Sequence, residues 1–398
     1  MTKARIAYIS FDVVPAPKGA AIHIQTFAEA LGQHFGGVQL VTVSPQETTI
    51  SQGLSPEIYQ TALPAVGKTL IDRVLSFRQA LWGWLQGQVL EAGPLDVIHI
   101  RSPFEGFPIA LHRAKLCRHL IFEVNGLPSI ELKYRYPQVA DDDELMHKLV
   151  AQEDACLQAA DRILTPSDVT RDYLIQRGVG RDRIQVIPNG VDLSVFTYGA
   201  PRPDPVLSPL NLLYFGTLSP WQGVDLAIDA LALYRRDGDA HLTIIGPGRP
   251  HQLKRLHTLA AKLQVTAHVQ ILDALPLKDL VTHLHRADAI VAPLKGCDRN
   301  LVQGCCPLKV LEGMATGTPV ITTDLPVVRA IGNPDQHFLA VKPNSSKGIK
   351  DGLFQLWANP ALRLTLSQQA RQHVEQQFSW SLAHQRLIAV YESLLASP

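Results

Sequence analysis

This chain of 398 residues is short of the features by which several classes of protein announce themselves. Its five cysteines, Cys117, Cys156, Cys297, Cys305 and Cys306, form no CxxC pair and are odd in number. That pattern suits a reducing compartment better than a disulfide framework, and it offers no zinc-ligand spacing. No apolar run is long enough to span a bilayer. The opening stretch, MTKARIAYISFDVVP, lacks the apolar core and small-residue cleavage site of a signal peptide, so a cytoplasmic protein is expected. Charge of one sign is also missing: Lys+Arg 37 against Asp+Glu 36 leaves a formal net charge of +1, which gives no bulk attraction for nucleic acid. No GxGxxG follows the first strand, and the GPG at Gly246–Gly248 lacks the third glycine, which weighs against an NAD-dependent dehydrogenase. No DxD-like carboxylate pair stands at the carboxyl end of a strand, where it could hold a metal against a diphosphate; no metal requirement is expected, and no cofactor.

What the chain does have is a hydrophobic content of 46%, enough for two cores, and a regular alternation of short β-branched runs with longer amphipathic ones. That alternation predicts strand–helix units and an α/β fold with parallel sheets. Strands are expected at Ile6–Ser10, Val38–Val43, Val97–Ile100, His119–Glu123, Arg162–Thr165 and Ile184–Ile187, and in the second half at LNLLYFG, LTIIG, HVQIL, AIVAP and PVITT. Between the halves, APRPDPVLSP reads as a proline-rich linker and places a boundary near Pro201–Pro209.

The segment Pro307–Asp324, PLKVLEGMATGTPVITTD, carries the most chemistry. A Pro-Leu entry opens a helix from Lys309 to Ala315, Gly317 ends it, and PVIT starts a strand. The first turn of such a helix offers unpaired amides and a positive dipole end to a diphosphate. Lys309 and Glu312, three residues apart, share a face, and a carboxylate there can accept both hydroxyls of a ribose. An ordinary helix-to-strand unit with a solvated Lys and Glu would read the same. At the front of the chain, Pro15–Ala21 forms a tight strand-to-helix loop in which Gly19 permits close backbone approach and Lys18 supplies a cation.

Taken with the KGAAIHI loop, three further pieces, VIPNGVDLSVF, YFGTLSPWQGVDLAIDA and PLKVLEGMATGTPVI, make the chain resemble the retaining nucleotide-sugar glycosyltransferases with two Rossmann-like domains (the GT-B kind, family 4-like, group 1). The resemblance extends over nearly the full length, through DVIHIRSP, LTIIGPG, LHRADAIVAPL and the closing FSWSLAHQRLIAVYESLL. It implies two facing domains with a cleft between them. An acceptor domain is expected over 1–200, with a crossover helix at 379–398, and a donor domain over 209–378. It also implies metal-free transfer of a hexose from a nucleotide sugar, most naturally a UDP-sugar with GDP and ADP as options, to a small-molecule, glycan or lipid-linked acceptor. Donor contacts fall on Gly216, Thr217, Gln222, Arg249, Gly304, Leu308, Lys309 and Glu312.

Several family residues are replaced. Thr217 and Gln222 stand where relatives carry an arginine and a lysine facing the leaving diphosphate, and Gly304 stands where many carry a first glutamate. Lys309 is therefore the candidate for the missing charge, with Arg249 and Arg299 in reserve. Asn125 replaces the acceptor-side histidine; an amide can orient a sugar hydroxyl but cannot titrate near neutrality. In the front-face mechanism assigned to the family, a donor phosphate oxygen takes the acceptor proton. The catalytic candidates are thus Lys309, Asn125 and Glu312. His23 and His99 read as structural. Lys18, Gly19, Arg101, Lys133 and Arg135 are the acceptor candidates, with Tyr134 and Tyr136 alternating beside the cations, and they suggest an anionic acceptor. A nucleotide-sugar epimerase or hydrolase, or a non-catalytic binder, stays open. So does peripheral contact with the inner membrane face, because Leu70–Leu90 places Trp82 and Trp84 with Arg73 and Arg78 in a helical pattern.

Overall fold

In the computed structural model, residues 4–16, 18–202 and 209–396 are described. The chain divides into two compact units, Met1–Pro188 with Ala383–Pro398, and Asn189–Leu382.

The first unit is built on an eight-stranded sheet in the order β3-β4-β2-β1-β5-β6-β7-β8. Its strands are β1 (Ile6–Ile9), β2 (Val38–Ser44), β3 (Ile50–Ser55), β4 (Ile58–Pro64), β5 (Leu95–Ile100), β6 (Cys117–Glu123), β7 (Arg162–Thr165) and β8 (Ile184–Val186). All pair in parallel except β3, which runs antiparallel to β4. Strands covered on both faces must be apolar throughout, and β1, IAYI, is buried at every position. One core layer joins Ile98, Ile100, Leu120 and Phe122 to Phe77, Leu81 and Leu85 of the helix Leu70–Ala92.

Strands β3 and β4 were not expected from the sequence. For β4 the reason is chemical: Gln60 and Thr61 are buried, and Gln60 Nε2 is satisfied by Val14 O at 2.7 Å and Thr42 Oγ1 at 2.9 Å; β3 is mostly exposed. A buried amide paired in this way removes the apolar signature on which strand recognition depends.

The tryptophan-bearing helix Leu70–Ala92 turns Trp82 and Trp84 toward the core, and Arg78 donates to Phe104 O and Pro103 O at 2.6 and 2.8 Å. The aromatic stripe is core packing. The outward residues Ile71, Leu75 and Leu90 are 57%, 56% and 87% exposed. Among the described residues no helix is long and apolar enough to cross a membrane.

The second unit holds six parallel strands in the order β11-β10-β9-β12-β13-β14: β9 (Leu210–Phe215), β10 (Ala240–Ile245), β11 (Val269–Leu272), β12 (Ala289–Ala292), β13 (Val320–Thr323) and β14 (Leu339–Val341). Strand β14, three residues long, gave no sequence signal. The unit begins earlier than the proline-rich stretch suggested. Residues after Pro188 pack onto its helices: Gly199 N donates to Thr316 O at 3.0 Å, and Arg371 Nη1 donates to Phe196 O at 2.7 Å. Most of the expected linker, residues 203–208, lies outside the described residues. The final helix, Trp380–Leu395, belongs to the first unit from Ala383 onward. There Tyr391 Oη meets His99 Nδ1 at 2.8 Å.

Candidate active site

In the second sheet the strand order reverses between β9 and β12, and loops that leave such a point in opposite directions open a place for a ligand at the carboxyl ends of the strands. After β9 the chain runs through Gly216 to Gln222, and after β12 it runs to the helix Leu308–Thr316. Gly216 has φ +114° and Gly246, at the end of β10, has φ +153°. A Cβ on Gly246 would lie 2.0 Å from Gly216 O, so the two loop starts pass each other only because that side chain is absent.

The helix Leu308–Thr316 opens without a side-chain cap, because its N-cap is Pro307, and its first-turn amides are the kind that receive an anion. Leu308, half-buried, is its first residue. Lys309 is buried and reaches back to β9: its Nζ donates to Gln222 Oε1 at 2.6 Å and Tyr214 Oη at 2.9 Å, and lies 4.1 Å from the tyrosine ring centroid. Tyr214 Oη in turn donates to Thr217 O at 2.6 Å. The cation thus sits against the side chain of Gln222.

Burial lowers the pKa of Lys309 to about 7 against the opposing pull of Glu312. Burial likewise raises that of Glu312 to about 7, with Lys309 opposing. Both groups are therefore poised near neutrality.

The other donor candidates divide into two sets. Gly304 is buried at φ +81° in the turn before the helix, and Arg299 Nη1 donates to its carbonyl at 2.6 Å. Arg299 thereby shapes the turn. Thr217 and Arg249 are exposed; Arg249 precedes the helix Pro250–Lys262, its backbone N donating to Gln252 Oε1 at 2.8 Å. Asn300, which the sequence did not single out, is buried and ties the two loops together, its Nδ2 donating to Trp221 O at 3.0 Å and Lys295 O at 2.8 Å.

In the first unit the strand order reverses between β1 and β5, and a buried polar cluster occupies the carboxyl ends there. Its hub is Glu123, the last residue of β6. Glu123 Oε2 accepts from Tyr8 Oη at 2.7 Å and from Arg101 Nε at 3.3 Å, while His23 Nε2 lies 2.5 Å from Oε1 and His99 Nε2 lies 3.2 Å from Oε2. Burial works to raise the pKa of Glu123, but His23 and Arg101 outweigh it and hold the carboxyl well below its ordinary range. Asn125 Nδ2 also donates to Glu123 Oε1. Lys18, beside Gly19 at the start of the helix Gly19–Phe35, pairs with Asp12 at 2.6 Å, and Arg101 Nη1 reaches the same carboxylate at 3.4 Å.

Lys133 and Arg135 lie on the helix Pro128–Arg135, so these cations and Tyr134 between them fan around its axis. Lys133 Nζ lies 5.5 Å from the Tyr134 ring centroid.

Two family models match almost end to end. Residues 17–195 match Glycosyltransferase Family 4, and residues 205–373 match Glycosyl transferases group 1. The chain belongs to this glycosyltransferase family. Among its relatives, a glycogen synthase of Mycobacterium tuberculosis is 29% identical over 249 residues, covering 62% of this chain and 58% of that protein. A D-inositol 3-phosphate glycosyltransferase of Corynebacterium aurimucosum is 26% identical over 317 residues, 76% of this chain and 72% of the other. In structure, the sucrose-phosphate synthase of Thermosynechococcus elongatus aligns with a TM-score of 0.82 at 21% identity, covering 99% of this chain and 100% of that one. Anabaena HepE in complex with UDP and glucose aligns at 0.74 and 15% identity, covering 98% and 100%. These likenesses fix the fold as GT-B, two Rossmann-like units.

Within that fold, the residue the sequence most clearly hid in this glycosyltransferase is Glu123. A glutamate closing a short apolar run looks like a strand end meeting water, and only the partners brought by β1, β5 and the helix Gly19–Phe35 reveal it as a hub. His23 and His99, read as structural, are both in contact with it.

Proposed function

We propose that this glycosyltransferase moves a hexose from a nucleoside diphosphate sugar to a hydroxyl acceptor with retention at the anomeric carbon, and without a divalent metal. The observation that carries the donor half is the buried Lys309 at the uncapped start of a helix, one turn before Glu312 and in contact with Gln222. A diphosphate arriving there adds negative charge beside a lysine poised near neutrality. The lysine then binds as a cation, acting with the helix amides where charge grows on the leaving group. Glu312 in its ionised form accepts the ribose hydroxyls. The acceptor proton goes to a donor phosphate oxygen, and Asn125, held by Glu123, orients the acceptor. UDP is the favoured nucleotide, a choice that draws support from the complex of the structurally similar HepE with UDP and glucose.

The acceptor half is proposed on the first unit, around Lys18, Arg101, Lys133 and Arg135, with an anionic group as the first choice. A neutral acceptor is the second reading, favoured by one observation: Lys18 and Arg101 are already balanced by Asp12 and Glu123.

A thermal-shift screen of UDP-, GDP- and ADP-sugars in EDTA tests the donor half, since a tight ligand raises the melting temperature by mass action. One nucleotide class is expected to stabilise the wild type, and Glu312→Ala should weaken that donor's Kd by on the order of tenfold or more. An unchanged Kd in a folded Glu312→Ala protein, or stabilisation only with added metal, would count against the reading.

A further inference from the structure

At the opposite, amino ends of strands in the second sheet stands a second group of chemically reactive side chains. Asp239 immediately precedes β10, His241 is the second residue of β10, and His268 immediately precedes β11. The parallel register pairs Leu242 with Val269, so His241 and His268 stand side by side, their ring centroids 5.1 Å apart. One ligand atom from each of the three residues lies within 4.8 Å of the others. We propose that Asp239, His241 and His268 bind a transition-metal ion, zinc in the first instance.

Three observations support a ligand here beyond the juxtaposition. His268 Nδ1 is buried and has no hydrogen-bond partner among the described residues, a state that buried polar nitrogens rarely keep. Asp239 Oδ1 accepts from Arg235 Nη1, which fixes the carboxylate and leaves its other oxygen without a protein donor. The backbone beneath is held as well, since Leu210 N donates to Asp239 O at 2.9 Å. Two imidazoles and one carboxylate form a borderline nitrogen and oxygen set. That set matches zinc and its neighbours in the transition series, and not the hard, all-oxygen shell of magnesium or calcium.

Metal–ligand bonds of about 2.0–2.2 Å set the spacing that the three atoms must meet. Asp239 and His241 are exposed and can turn to do so, with water completing the shell. Arg235 opposes a cation, and its pairing with Asp239 offsets that charge only in part. Because β11 is the outer strand of the sheet, the ion would clamp the entry to that edge strand onto β10. It would stabilise the second unit from the end of the sheet remote from Lys309, so it does not depend on the donor reading.

The test uses the tag-free full chain, stripped with EDTA, dialysed and titrated calorimetrically with zinc chloride, with cobalt chloride as an absorption probe. A saturable site of one equivalent is expected, with a higher melting temperature in zinc. His268→Ala and His241→Ala should each weaken the site at least about tenfold and abolish the thermal gain. His241 is exposed, so its variant keeps the test clear of misfolding; equal melting temperatures in EDTA verify this. Absence of saturable binding, or zinc affinity that survives His241→Ala and Asp239→Asn, as binding through cysteines would, overturns the proposal.

Discussion

Lys309 is held by one amide oxygen and one hydroxyl, and that choice of partners has a cost that a ligand can reverse. Its folded pKa of about 7 lies below the ~10.4 of an unfolded lysine. Between those values the unfolded chain carries a proton the folded chain lacks, so stability falls as pH drops from about 10 toward 7. Glu312 works in the opposite sense, because its folded value of about 7 lies above the ~4.3 of an unfolded glutamate. Stability therefore also falls as pH rises from about 4 toward 7, and the two groups together place a trough near neutrality. Lys309→Met removes the buried amine and keeps an apolar stem. The unliganded variant is expected to melt higher than wild type at pH 7, while its donor Kd rises tenfold or more. In the wild type the donor Kd should climb by up to about tenfold per pH unit above 7, where binding must take up a proton. The variant's Kd should lack that climb above pH 7, leaving only the dependence that Glu312 imposes. A Met variant that melts lower, or a wild-type Kd indifferent to pH, contradicts the assignment.

At the scale of elements, the crossing of the β9 and β10 exits depends on Gly246, where a Cβ would meet Gly216 O at 2.0 Å with φ +153°. The contact is with backbone, so no side chain can swing aside. Gly246→Ala is expected to destabilise the protein by roughly 2–4 kcal/mol in urea denaturation and, by displacing Gly216, to weaken donor binding. Gly83→Ala is the control: it lies in the helix Leu70–Ala92 with nothing within 4 Å of its Cβ, and a gain of up to about 1 kcal/mol is expected. Equal effects at the two positions would remove the crossing as the cause. YFG and LTIIGPG are legible in the sequence as strand ends, but why those glycines stand there is not, because the clash is between segments thirty residues apart. The helix after Pro307 was legible for the opposite reason, since its entry, stop glycine and apolar spacing are all local. Strand β4 was obscured by buried Gln60 and Thr61, and the polar hub was obscured because Glu123, Tyr8, His23, His99 and Arg101 come from four separate stretches of chain.

For the molecule as a whole, a net charge of +1 leaves acceptor recognition to local charge, and in the first unit that charge is largely committed. Arg101 is buried between Glu123 and Asp12, and Lys18 pairs with Asp12. An anionic acceptor would have to compete with these carboxylates for both. Lys133 and Arg135 lie on the helix Pro128–Arg135, where Arg135 is exposed. If a phosphate-bearing acceptor is the substrate, the exposed Arg135 offers a planar guanidinium for a bidentate grip. Arg135→Ala should then raise the acceptor KM severalfold and leave slow donor hydrolysis unchanged. Because an exposed pair is screened over a Debye length of about 8 Å at physiological salt, the wild-type acceptor KM should also rise with ionic strength, and the variant's should rise less. Steady-state kinetics across a salt series, run with and without acceptor, separates the cases. A KM that ignores both Arg135 and salt assigns the site to a neutral sugar hydroxyl, bound through Asn125 and the balanced cluster around Glu123.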